Sequence, residues 1–143
     1  MAMIEPTIWS KMHGASTHFP IALVIVTTFC DGLAILTHGG ELSRRLRFTG
    51  TLLIALGALG GCGAVITGLV MTRGQMMGND VLLRHHQFVW PAFVMILSLA
   101  VWRVVSRAEP SHTRTWVQFC LMVLTSALVS GAGYWGGELL NGL

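Results

Sequence analysis

The sequence predicts an all-α integral membrane protein, a four-transmembrane-helix bundle, on three observations. Charged residues make up 10% of the chain and hydrophobic ones 53%, whereas a soluble domain carries about 25% charged residues. Mean hydropathy is +0.67. Four stretches, 19–37, 50–72, 87–106 and 115–135, are long and apolar, and a helix crosses the hydrocarbon core in about 20 such residues. They fill 1–143 as a single membrane domain and leave little chain for a soluble one. A soluble bundle would need a polar face at 3.6-residue period, which runs such as 21–26 and 97–101 lack. In lipid, long unalternating apolar runs are helices, because only helices and closed barrels satisfy the backbone.

The first stretch follows a segment, 1–18, without the basic start, short apolar core and small-residue cleavage site of a secretory signal. It is expected to remain in the mature protein. Asp31 is the only acidic residue well inside a span, and a bare carboxylate in lipid demands a partner or a proton. The first and third stretches run in the same direction, so Arg103 lies in the same half of the membrane. A structural Asp31–Arg103 ion pair is expected, ahead of a proton path.

The second stretch sets Gly57, Gly61, Ala64 and Gly68 on one face. Small residues let helices approach closely in lipid, so this face is read as a tight helix contact; a slot for a flat cofactor is the alternative. The third stretch follows His85 and His86, and Pro20 and Pro91 are read as marking the starts of the first and third helices. The fourth ends in 130–137, Ser-Gly-Ala-Gly-Tyr-Trp-Gly-Gly. Gly136 and Gly137 are read as its C-cap, with Gly131 and Gly133 as packing positions. Cys30, Cys62 and Cys120 fall inside the apolar stretches without paired spacing, as small packing residues do.

Basic residues set the topology. Arg44, Arg45 and Arg47 lie between the first two stretches, and Arg103, Arg107 and Arg114 lie at or between the ends of the last two; the other side has Lys11, Arg73 and Arg84. The positive-inside rule places the 38–49 and 107–114 loops in the cytoplasm and both termini outside. Trp9, Trp90 and Trp135 then form an outer aromatic belt and Trp102 and Trp116 an inner one. His13, His18, His85 and His86 share the outer face, while His38 and His112 are inner. The net charge of +3 resides in loops, not on a soluble face interleaved with aromatics, so nucleic acid is not an expected partner.

The run His13-Gly-Ala-Ser-Thr-His18-Phe19-Pro20-Ile21-Ala22-Leu23, Asp31, a histidine at 85 or 86, and Gly136-Gly137-Glu138-Leu139 resemble a bacterial membrane-protein family catalogued as domain of unknown function 2231. The resemblance covers nearly the whole chain. It departs at Gly14, where members carry proline, and it implies a four-helix membrane fold with no established activity.

Function therefore rests on side chains. A b-type haem takes one or two imidazoles from facing helices and a close-packed apolar slot. His18 and His86 are the expected axial ligands, with His85 and His13 as substitutes and Arg84 set to neutralise a propionate. Covalent attachment is excluded because Cys-x-x-Cys-His does not occur. The ordinary account of an interfacial histidine is a ring that bridges lipid and water, and it is weighed evenly against a ligand site. Copper is a lesser alternative, since Met12, Met71, Met76 and Met77 lie on the same side. Zinc would draw on Glu5, Asp80 or Glu138.

No phosphate loop, catalytic triad or paired carboxylate appears. The expectation is a subunit in the bacterial inner membrane that relays electrons between quinone and a periplasmic redox partner, within a larger complex or as a homo-oligomer. The rival is a non-redox scaffold whose small-residue faces bind partner helices. A metal-ion carrier is weaker, because a transport path takes several inward polar residues.

Overall fold

A computed structural model describes residues 8–37, 39–78, 80–106 and 111–141, with side chains as far as 139. Glu5, His38 and Arg107 lie outside the described residues. The chain forms α1 (Ile8–Leu36), α2 (Gly40–Met71), α3 (Asp80–Val105) and α4 (His112–Asn141), each long and apolar enough to cross a membrane. At about 1.5 Å per residue the shortest is about 39 Å, against a hydrocarbon core of about 30 Å, so every helix projects into the polar interface.

That surplus explains why the helices start before the apolar stretches do. Hydropathy marks the part of a helix that meets hydrocarbon, whereas backbone hydrogen bonding continues through polar turns on either side. His13 and His18 thus lie within α1, and His85 and His86 within α3. Pro20 and Pro91 are likewise internal to their helices rather than at their starts, a placement that neighbouring helices make tolerable in membranes. Gly136 and Gly137 do not cap α4, which runs on to Asn141.

The connection from α1 to α2 is a sharp reversal through Gly39 and Gly40, at φ of 88° and 83°, a region open to glycine at little cost. Arg44, Arg45 and Arg47 consequently sit on the first turns of α2 instead of in a loop. There Glu41 accepts from Arg44 at 2.7 Å and from Arg45 at 2.8 Å, pairs at helical i+3 and i+4 spacing.

Each helix packs against its sequence neighbours, and α4 closes back on α1, so α1 and α3 face one another across the diagonal of the bundle. The interior inverts that of a soluble protein. Val24, Ile54 and Met122 are fully buried, but so are Thr27, Ser43 and Thr125, while Phe29 and Leu59 are 67% and 70% exposed. Apolar surface on this scale is foreign to a water-soluble monomer; here it is the lipid-facing coat. Of the cysteines, Cys30 is buried, Cys62 half-buried and Cys120 exposed, so packing accounts for the first better than the last.

Small residues set the helix spacing, as the sequence implies. A methyl at Gly57 would lie 3.6 Å from the Leu23 Cβ, and one at Gly61 3.6 Å from the Phe93 ring. Side chains of α1 and α3 pack against this face of α2, as a tight helix contact requires. Polar contacts add to the packing. The Thr28 hydroxyl lies 2.8 Å from the Ser126 hydroxyl and donates to the Met122 carbonyl at 3.3 Å, tying α1 to α4. Interhelical hydrogen bonds in lipid average about 0.6 kcal/mol. Thr28→Val is therefore expected to lower unfolding stability in detergent by about that amount, with Ser126→Ala adding little in the Thr28→Val background; a loss several times larger would contradict this.

Candidate functional site

The bundle has two chemically distinct ends. One gathers the N-terminal turns of α1 and α3 with the C-terminal turns of α2 and α4, and carries His13, His18, His85 and His86. The other carries Arg44, Arg45, Arg47, Arg103 and Arg114.

At the histidine end, three imidazoles are held alike. His13 Nδ1 lies 3.0 Å from the Ala64 carbonyl and 3.2 Å from the Thr67 hydroxyl on α2. His85 Nδ1 lies 2.9 Å from the Ala132 carbonyl on α4, and His86 Nδ1 lies 3.0 Å from the Met77 carbonyl in the α2–α3 turn. A carbonyl only accepts, so each Nδ1 carries the proton and donates it. In the neutral ring, Nε2 is then left with its lone pair. This is the tautomer and outer hydrogen bond typical of metal-ligating histidine.

The small residues of the sequence reading are the seats of these rings. A methyl at Gly68 would come within 2.9 Å of the His13 Cε1, and one at Gly136 within 3.3 Å of the His85 Cε1. His85 and His86 have ring centroids 5.7 Å apart, and His86 is 6.0 Å from the Trp90 ring. Trp90 itself donates from Nε1 to the Met76 carbonyl at 2.6 Å, fastening the same turn. His13, His85 and His86 are close enough to interact electrostatically with one another. His86 is buried at 7% exposure.

His18 is placed differently. It is exposed, with no hydrogen bond to its ring among the described residues. Arg84 stacks over the Trp135 ring, 4.9 Å from its centroid, and together they line a groove of about 540 Å³ between α3 and α4. The His13, His85 and His86 rings do not line that groove.

Among the described residues, no three His, Cys, Asp or Glu side chains group tightly enough to hold one metal ion. Met12, Met71, Met76 and Met77 are exposed. His13 on α1 and His86 on α3 stand on helices that face one another across the diagonal of the bundle.

At the other end, Arg103 and Asp31 form a two-pronged ion pair, with Nη1 donating to Oδ1 at 3.0 Å and Nη2 donating to Oδ2. Both side chains are buried, 4% and 7% exposed. The structure brings together the two residues that the sequence pairs. Around them opens a cleft of about 740 Å³ whose lining includes Arg47, Arg114 and Gln118. Sequence reasoning missed this cleft, although Arg114 and Gln118 stand four residues apart, on one face of α4.

Set against known proteins, residues 10–142 match a family model described as a predicted membrane protein. No curated protein and no solved structure matches the chain.

Proposed function

From the premise that the chain belongs to the membrane-protein family of domain of unknown function 2231, we propose that it is an electron-transfer subunit of the bacterial inner membrane. It holds a b-type haem at its histidine end, on the periplasmic side by the positive-inside rule. The observation that carries this reading is the shared Nδ1-to-carbonyl hydrogen bond of His13, His85 and His86, which leaves the Nε2 lone pair of three imidazoles at one end of the bundle uncommitted to that bond.

His13 from α1 and His86 from α3 would hold the haem iron, with His85 as substitute. His18, expected from sequence to be a ligand, is exposed and lacks the shared carbonyl hydrogen bond among the described residues. Arg84 at the α3–α4 rim is a counter-charge for a propionate. The bound haem would supply one-electron chemistry, taking electrons from membrane quinol and passing them to a periplasmic redox partner. With so little mass outside lipid, the chain works within a larger complex or as a homo-oligomer.

The ligand assignment is tested by the reduced-minus-oxidised visible spectrum of purified variants. His13→Ala and His86→Ala are each expected to abolish or shift the haem bands, and His18→Ala to leave them unchanged. Bands that survive His13→Ala combined with His86→Ala would overturn the assignment, and bands lost in His18→Ala would return His18 to the site.

A further inference from the structure

Independently of the histidine end, we infer that the arginine-end cleft is a binding site for a phosphate group. Among the described residues, five arginines, 44, 45, 47, 103 and 114, and two carboxylates, Asp31 and Glu41, line this cleft. Asp31 pairs with Arg103, and Glu41 with Arg44 and Arg45. The cavity, about 740 Å³, also presents the hydroxyls of Thr115 and Ser106.

A concentration of arginines alone would describe any cytoplasmic rim obeying the positive-inside rule. Three unpartnered polar groups distinguish this one. The Nε atoms of Arg103 and Arg114 are buried without any hydrogen-bond partner. Gln118 is only 8% exposed, lines the cleft, and its carboxamide has no hydrogen bond among the described residues. A buried donor left unmade is costly, and native proteins rarely tolerate it without a ligand or water to complete it.

The missing partner is an acceptor-rich anion. Arg114 is also set in place, its guanidinium over the Trp102 ring at 5.6 Å from the centroid, which orients a planar fork as phosphate recognition by arginine requires. The N-terminal ends of α2 and α4 both lie at this end, and their dipoles favour negative charge there. A phosphate oxygen set accepts from several such donors at once, while the Asp31 carboxylate keeps Arg103 in place. The phosphate belongs either to an anionic phospholipid headgroup, for which basic pockets between helices on the cytoplasmic side are suited, or to a free phosphate in the cytoplasm.

The test uses the full chain in neutral detergent. Equilibrium dialysis measures binding of labelled inorganic phosphate, and native mass spectrometry counts phosphatidylglycerol retained in preference to phosphatidylcholine. One phosphate per chain with no retained anionic lipid assigns the free ion; retained phosphatidylglycerol that excess phosphate does not displace assigns the headgroup. In either case Arg114→Gln is expected to weaken binding about tenfold or more and Gln118→Leu several-fold. Gln118→Leu also separates binding from folding, since removing an unpartnered buried amide should leave the thermal midpoint of the unliganded protein unchanged or raised. Neither ligand binding above the phosphatidylcholine and chloride controls, or binding untouched by both substitutions, would overturn the proposal.

Discussion

Arg103→Gln is expected to destabilise the bundle by about 3–5 kcal/mol, because it strips the counter-charge from a buried carboxylate. Asp31 and Arg103 are 7% and 4% exposed at their side chains, so neither has water to fall back on. Asp31→Asn should cost a comparable amount by leaving the guanidinium alone. The two substitutions together should cost clearly less than the sum of the single ones, since the second removes a group that the first has already orphaned. Unfolding equilibria of the four proteins in detergent measure the coupling. Additive losses would show that the two residues stabilise the bundle separately. Gly50 contributes to the same pair from α2: a methyl there would lie 3.3 Å from both the Asp31 Oδ1 and the Arg103 Nη1, so glycine gives the pair its room.

The second large effect is expected at Gly131 on α4. A methyl at this position would stand 2.5 Å from Cδ1 and 2.6 Å from Cε1 of the Phe88 ring on α3. Neither backbone gives way easily in a packed bundle, so Gly131→Ala should cost about 1–3 kcal/mol as overpacking. Phe88→Leu in the Gly131→Ala background should recover most of the loss by removing the ring edge. A neutral Gly131→Ala would mean that α3 and α4 are spaced more loosely than the structure has them.

Some of this was legible in the sequence for reasons that particular residues make plain. Four helices followed from length and charge depletion, and the Asp31–Arg103 pair followed from the cost of a charge in lipid, which leaves few partners at the right depth. The choice among histidines did not follow. His13 and His18 are five residues apart, about 140° around a helix at 3.6 residues per turn, so only one can face inward. With α1 read as starting at 19, both appeared to be loop residues and no face was assigned. Once α1 starts at Ile8, His13 falls on a helix, and Ala64 and Gly68 on α2 provide its seat.

The arginine-end cleft was obscured by the same error of boundary. Arg44, Arg45, Arg47 and Arg114 were read as loop charges that report topology, whereas the helices carry them on their first turns. Gln118 was passed over as one polar residue in an apolar run. Its significance depends on burial without a hydrogen bond, which periodicity does not reveal.

A haem held at the histidine end is tested by the haem content of the intact protein. Purified in detergent from a haem-sufficient host, the chain should carry about one non-covalently bound haem b per chain, with a low-spin spectrum of two imidazole ligands. Folded, monodisperse protein with no haem would contradict the central claim and leave the three histidines as hydrogen-bonded fasteners between helices.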